Sequence, residues 1–282
     1  MLKLSDRLEK ICNHIEQGET VADIGTDHGL LPLALFEKGI SPYLILTDIK
    51  PGPLEKVRVN LDRYFLHYES QRQYVIIDKT DKVPMPPGDV VCFDIRMGSG
   101  LEVLNYSEVD TVVIAGIGGP LIIELLGKDQ RKARSFNKFI LQPRVGADKL
   151  RRWLYENEYH ISCDELAMEY GRINEIITVC LNCYSATETP VLPLNFTDCI
   201  DLLHEQGMNY EISDGLLRRC DPLLPAFLRE KIERCKTIIS NIEQFGHDDS
   251  KAELLTGLMK SRDIYITVLE IISACPIDNM RG

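Results

Sequence analysis

The stretch Val21-Ala22-Asp23-Ile24-Gly25-Thr26-Asp27-His28-Gly29 decides the fold of this chain. A short strand, Val21 to Ile24, runs into a turn bounded by two glycines. A helix-like stretch then follows from Gly29 to Lys38 and stops at Gly39. A short apolar strand, a glycine turn and a helix form the opening unit of a parallel α/β sheet. The rest of the chain extends the pattern in both directions. Upstream, Leu4, Leu8, Ile11, Cys12 and Ile15 fall at helical spacing over residues 4–15, with Ser5 as N-cap. Downstream, a strand from Tyr43 to Thr47 ends at Asp48 and leads into a helix from about Pro53 to Tyr68. Further apolar strands are predicted at Val90–Ile95, Thr111–Ala115 and Phe139–Gln142. Helices are predicted from Leu101, from Pro120 to about Arg134, and from Ala147 to Glu156. Continuous apolar strands between helices indicate a doubly wound, Rossmann-like α/β domain. Residues 160–184 read as a hairpin turning at Gly171-Arg172 that closes the sheet.

From about Asn195 strand signals vanish. Leu224, Phe227, Leu228, Ile232, Cys235 and Ile239 share one helical face. The expected division is a Rossmann-like domain over 1–190 and a helical, coiled-coil-like domain over 191–282, broken near Phe245-Gly246-His247. Residues 69–89, with Pro84, Pro86, Pro87 and Gly88, read as an inserted loop with one extra strand at Tyr74–Ile77.

Composition narrows the function classes. The 282 residues are 44% hydrophobic and 27% charged, with a net charge of −11, which excludes disordered and fibrous chains. The N-terminus has no unbroken apolar core of a signal peptide. The most apolar window, Val112 to Leu126, is interrupted by glycines, Pro120 and Glu124, so a soluble cytoplasmic protein is expected. Nine scattered cysteines then read as reduced thiols. The one CxxC, Cys180 and Cys183, lacks a second pair or a clustered histidine, so no metal is expected.

The turn at 23–29 is a nucleotide-site location, where backbone N–H groups approach a ligand at a helix N-terminus. Its spacing is not GxGxxG. Asp27 and His28 stand where a pyrophosphate cradle wants small neutral residues, and a carboxylate there repels phosphate. A sulfonium cation with an α-amino group, S-adenosylmethionine, instead favours acidic residues. Asp48, at the end of the second strand, is placed to accept from both ribose hydroxyls. The alternative is that Asp23 and Asp48 merely cap loops.

These residues and several others match a family in order. The segments DIGTDHGLLP (23–32), Asp48 with the following Gly52-Pro53, GLEVL (100–104), VVIAGIGGPLI (112–122), ILQP (140–143) and WLYENEY (153–159) resemble the TrmK family of bacterial tRNA methyltransferases. In the tail, YEISDGLL (210–217), Pro225 and FLREKIE (227–233) extend the likeness. The resemblance implies S-adenosylmethionine as cofactor and N1 of the adenine at tRNA position 22 as target. It implies a cofactor site of Asp23, Gly25, Thr26, Asp27, His28, Gly29, Asp48, Ile49, Ser99, Gly100, Ala115, Gly116, Ile117 and Gly118. The loop from Ala115 to Pro120 would receive the flat purine, small residues letting it approach the backbone, although a glycine turn required by packing is the alternative. Asp27 is the candidate catalytic carboxylate, stabilising the charge that develops on the methylated adenine. It could equally bind the cofactor's amino group or cap the helix at Gly29.

The chain departs from the family where Ser99 replaces an aspartate, Arg144 replaces an asparagine and Asn174 replaces a tyrosine. The loop 69–89 is longer than usual.

Between Gly127 and Trp153, nine basic residues face two acidic ones, a local balance of +7 that leaves −18 for the rest. Lys128, Arg131, Lys132, Arg134, Gln142, Arg144, Lys149, Arg151 and Arg152 are therefore expected to contact RNA, against the alternative of a solvated helix face. The partner is tRNA, with no membrane and no metal, and a monomer is the simplest expectation. Two other readings stay open: a tRNA-binding protein of this fold with little catalysis, and a methyltransferase for a small molecule.

Overall fold

The computed structural model describes residues 2–67, 72–77, 90–181, 194–245 and 249–274. The chain divides into two compact units, Met1–Thr187 and Glu188–Gly282. The boundary expected at 190/191 lies outside the described residues.

The first unit is built on eight strands: β1 Val21–Ile24, β2 Tyr43–Asp48, β3 Tyr74–Ile77, β4 Val91–Met97, β5 Thr111–Ile117, β6 Lys138–Pro143, β7 His160–Glu169 and β8 Arg172–Cys180. They form one sheet in the order β3-β4-β2-β1-β5-β6-β8-β7. The first six are mutually parallel, and the hairpin β7/β8 adds antiparallel beyond β6. From β1 the chain moves out to β2 and on to the edge strand β3, returns to insert β4 between them, then crosses back to β5 on the other side of β1. The switch point therefore lies between β1 and β5, and open α/β sheets bind ligands at the carboxyl ends of strands at such a point.

Helices α1 Asp6–Asn13, α2 Leu30–Lys38, α3 Pro51–His67, α4 Gly119–Lys128, α5 Gln130–Ala133 and α6 Ala147–Glu156 accompany the sheet. Ser5 caps α1 by accepting from the Leu8 N–H, and Gly39 ends α2 in a left-handed conformation. Alternate strand residues serve two cores. Val21, Leu44, Val113 and Ile140 pack with Ile11, Leu33 and Val57, whereas Ala22, Ile45, Val112 and Leu141 pack with Ile122, Leu126 and Leu150.

Two elements differ from the sequence-based expectation. The helix predicted over 120–134 breaks at Asp129, whose carboxylate accepts from the Lys132 N–H and starts α5 as a separate turn. The helix predicted from Leu101 is a single 3-10 turn, Gly100–Val103. Cys180 is disulfide-bonded, against the expectation of reduced thiols throughout. Among the described residues no helix is long and apolar enough to cross a membrane.

The first helix is fastened to the seventh strand. Asp6 accepts from the Met168 N–H at 2.7 Å, Arg7 Nε pairs with Glu169 at 2.7 Å, Lys10 donates to the Leu166 carbonyl, and His14 bonds Glu165 at 2.7 Å.

The second unit comprises α7 Leu194–Glu205, α8 Asp214–Arg218, α9 Leu224–Phe245 and α10 Asp249–Ser273. The expected apolar face of α9 is buried at Leu224, Phe227, Leu228, Ile232, Cys235 and Ile239. Lys231 lies over the rings of Phe227 and Tyr265 at 4.8 and 5.7 Å. The expected break near 246–247 lies outside the described residues.

Candidate active site and basic face

The carboxyl ends of β1, β2, β4 and β5 bring the sequence-predicted residues to one edge. Asp23 is buried, and burial pushes its carboxyl up to about 6 even though Thr26 and the Arg7 guanidinium favour the charged form. The Gly25 and Thr26 N–H groups both donate to the Thr47 carbonyl at 2.9 Å. The first part of the turn thus spends its donors inside the protein rather than presenting them outward. Beyond it, Asp27 and His28 are exposed and meet at 3.2 Å, and the His28 carbonyl accepts from Asn60.

Asp48 Oδ1 accepts from the Lys50 N–H at 2.8 Å, and Oδ2 has no donor among the described residues. Next to it Ile49 and Met97 are 64% and 61% exposed, an unusual exposure for apolar side chains at strand ends. Gly98 donates to the Asp48 carbonyl, which holds Ser99 and Gly100 beside this carboxylate. A Cβ added at Gly25 or at Gly116 would meet nothing within 4 Å, so space stands open above both glycines. An open, acid-lined cleft with exposed apolar flanks fits a cationic nucleoside.

The β5 end is constructed differently. Gly116 sits at φ 78°, and the β5/β6 register shifts between Ala115 and Ile117, a bulge that a side-chained residue would strain. The freed Gly116 N–H donates to Gln142 Oε1 at 3.0 Å. That same oxygen accepts from Arg7 at 3.3 Å, and Gln142 Nε2 donates to the Pro143 carbonyl at 3.2 Å. One zipper joins this loop to the one after β6: Arg144 N–H to the Ile117 carbonyl at 2.7 Å, and Gly119 N–H to the Val145 carbonyl at 2.8 Å. The backbones approach so closely that a Cβ at Gly119 would stand 2.4 Å from the Gly146 oxygen.

Two residues expected to touch RNA do not reach the surface. Arg151 is 2% exposed, its guanidinium bonded to Asp164 at 2.6 and 2.8 Å and to Glu175 at 2.7 Å. Gln142 is 1% exposed and committed to the network above. Lys138, counted in the same basic balance, is buried against Glu19. A charge count along the chain cannot see these partners, which arrive from other strands. Among the rest, Lys128 is ion-paired with Glu102, and Lys132 lies over the Tyr106 ring. Arg134 donates to the Asn157 carbonyl and covers Tyr159 at 4.6 Å. Arg131, Arg144, Lys149 and Arg152 are exposed. Among the described residues no cluster of His, Cys, Asp and Glu could hold a metal ion. Sequence reasoning missed Arg7, whose partners Gln142 and Glu169 lie 135 and 162 residues away. No local signal marks such a residue.

Comparison with known proteins agrees with this geometry. A methyltransferase-domain profile matches residues 4–77. The tRNA (adenine(22)-N(1))-methyltransferase of Bacillus subtilis is 29% identical over 176 residues, covering 62% of this chain and 64% of that protein. The chain thus matches slightly less than two thirds of that relative's length. Among solved structures, B. subtilis TrmK is similar at 22% identity, with a TM-score of 0.69 and coverage of 95% of this chain and 100% of that one. Mycoplasma capricolum TrmK, solved with S-adenosyl-homocysteine, gives 20% identity and a TM-score of 0.62, with 95% and 99% coverage. Both share the fold. The family profile described as tRNA (adenine(22)-N(1))-methyltransferase spans residues 91–262, well over half of the sequence, and the chain belongs to that family, TrmK.

Proposed function

We propose that this protein transfers a methyl group from S-adenosylmethionine to N1 of an unpaired adenine in tRNA, at the position 22 for which the family is named. The observation that carries the reading is the pairing of two unlike halves at one switch point: an acid-lined cleft beside β1, β2 and β4, and a rigid small-residue loop at β5. When bound, the cofactor supplies an electrophilic methyl on a sulfonium.

The chain's residues bind and orient. Asp48 would accept from the ribose hydroxyls through its open oxygen, with Ile49 and Met97 beside it. Asp23, Thr26, Asp27, His28 and Gly29 would hold the methionine portion, and Ser99 and Gly100 the adenine. Ala115, Gly116, Ile117 and Gly118 give the target purine a backbone surface to lie against. Transfer would require the loop from Ala115 to Gly118 to hold the purine with N1 in line with the methyl that the cofactor, held at Asp48, would supply, the bonding pair staying with sulfur. Methyladenine becomes cationic in the process. A carboxylate at Asp27 stabilises charge that exists only late in the reaction, which lowers the barrier without tightening the ground state. Because adenine N1 is already nucleophilic, positioning supplies most of the rate.

Arg131, Arg144, Lys149 and Arg152 supply exposed cations for tRNA phosphates, with Lys128, Lys132 and Arg134 beside them. We place the enzyme in the cytoplasm, as a monomer. The deciding experiment incubates the protein with unmodified bacterial tRNA and labelled cofactor, then maps nucleosides by mass spectrometry. N1-methyladenosine at position 22 is expected; tRNA binding without any transfer would favour the binding-only reading.

A further inference from the structure

The turn of the β7/β8 hairpin has a composition that folding does not explain. Tyr170 and Gly171 are its two loop residues, at φ 49° and 73°. A two-residue loop with both central φ values positive is the hairpin turn that selects Asn-Gly or Asp-Gly, because asparagine and aspartate tolerate the left-handed region far better than bulky residues do. Here the first position holds a tyrosine, and that residue is 94% exposed. The side chain therefore strains the backbone and buries nothing in return.

The neighbours show what the position offers. Arg172 follows, exposed and with no side-chain partner among the described residues. The acid directly across the ladder, Glu169, is already taken by Arg7. Asn174 donates to the Arg172 carbonyl at 3.3 Å within β8, so the backbone carbonyl of Arg172 has a partner while its guanidinium does not. An aromatic face and an uncommitted guanidinium thus stand two residues apart on the hairpin mount.

Strand register locates this mount. Leu141 of β6 pairs with Ile177 of the antiparallel β8, and Ile117 of β5 pairs with Pro143. Counting two residues along each strand puts Pro143 level with Glu175. Arg172 lies three residues further, about 10 Å beyond the β5 loop at roughly 3.4 Å per residue. The tip rises past the same carboxyl edge that carries the candidate active site, by more than the thickness of one base.

We infer that Tyr170 and Arg172 form an RNA contact for a nucleotide flanking the target adenine, the tyrosine stacking on an unpaired base and the arginine meeting its phosphate. This rests on the tRNA reading above. A ring with both faces in water suits stacking, which is tolerant of base identity, and the adjacent cation suits the backbone that must accompany the base.

The test uses the full chain and fluorescently labelled, unmodified tRNA, with the dissociation constant read by anisotropy. Tyr170→Asn installs the residue the turn prefers, so the melting temperature should hold or rise while tRNA binding weakens at least fivefold. Tyr170→Phe should bind within twofold of the parent. Arg172→Gln should flatten the log–log salt dependence by about 0.7. A Tyr170→Asn variant with the parent's affinity overturns the inference. Methyl transfer on the same samples tests the underlying reading separately: a parent that binds tRNA but transfers no methyl overturns the enzymatic assignment alone, and a parent that does not bind tRNA overturns both.

Discussion

The carboxyl edge of the sheet has two halves, and they are built on opposite principles. Around β1, β2 and β4 the side chains point outward with capacity to spare: one Asp48 oxygen has no donor among the described residues, Asp27 and His28 are exposed, and Ile49 and Met97 face solvent. Around β5 and β6 the backbone N–H groups of Gly116, Gly119 and Arg144 and the Gln142 amide are consumed internally, joining the loops by hydrogen bonds. The difference separates the tasks of the two halves. Unspent acceptors select a small polar ligand, whereas a zippered backbone presents a fixed surface against which a base can be positioned.

Breaking the zipper should have the largest effect. Gly119→Ala drives a methyl into the Gly146 carbonyl, which must move the loops apart, so kcat should fall about 100-fold while cofactor affinity, measured by calorimetry, changes little. Asp27→Asn sharpens the other half. If Asp27 stabilises the developing cation, kcat falls by a comparable factor with cofactor affinity nearly kept, and a near-normal kcat ends the catalytic assignment. Asp48→Ala deletes a charged acceptor of two hydroxyl hydrogen bonds, at roughly 1.5 to 3 kcal/mol, so the dissociation constant for S-adenosylmethionine should rise about tenfold or more.

A pH series probes the floor between the halves. Burial raises the Asp23 carboxyl to about 6, so the folded chain holds a proton there that the unfolded chain gives up nearer 4. The associated stability is present below about pH 4 and is lost as pH rises through 6, in total about 3 kcal/mol. Asp23→Asn should flatten that part of the stability profile; a denaturation series from pH 4 to 7 that runs parallel to the parent's would remove the assignment. The smallest effects belong to the surface cations. Arg144→Ala and Lys149→Ala should each flatten the tRNA salt dependence by about 0.7 if they meet single-stranded phosphates, with no loss of stability.

Much of the fold was legible because strand and helix periodicities were clean. Val21–Ile24 and Tyr74–Ile77 stand where the apolar runs put them, and so does the helix Ala147–Glu156. The position of the candidate cofactor residues at one sheet edge was legible for the same reason, since a turn between strand and helix has only one edge to occupy. What failed was any reading that depended on long-range partners. Arg151 and Arg152 are adjacent on α6, but helical geometry turns the first inward to Asp164 and Glu175 and the second to solvent. Gln142 was expected to contact RNA, yet Arg7 and Gly116 claim it. The break at Asp129 was hidden because a capping carboxylate and an exposed helical aspartate look alike in a sequence.

The fastening of α1 to β7 has a consequence for how the chain is made. At about 5 to 20 residues per second, the 162 residues separating Arg7 from Glu169 take about 8 to 30 s to synthesise. Throughout that interval an eight-residue helix, too short to persist on its own, waits without its partner strand. Arg7 reaches both Glu169 and Gln142, so the side chain that braces the loop beside Gly116 is itself anchored only when the ribosome has delivered the far hairpin. Anchoring of that brace is therefore one of the last events in the biogenesis of the first unit, and nascent chains stalled before residue 169 should carry the sheet's central strands with Arg7 lacking its Glu169 partner.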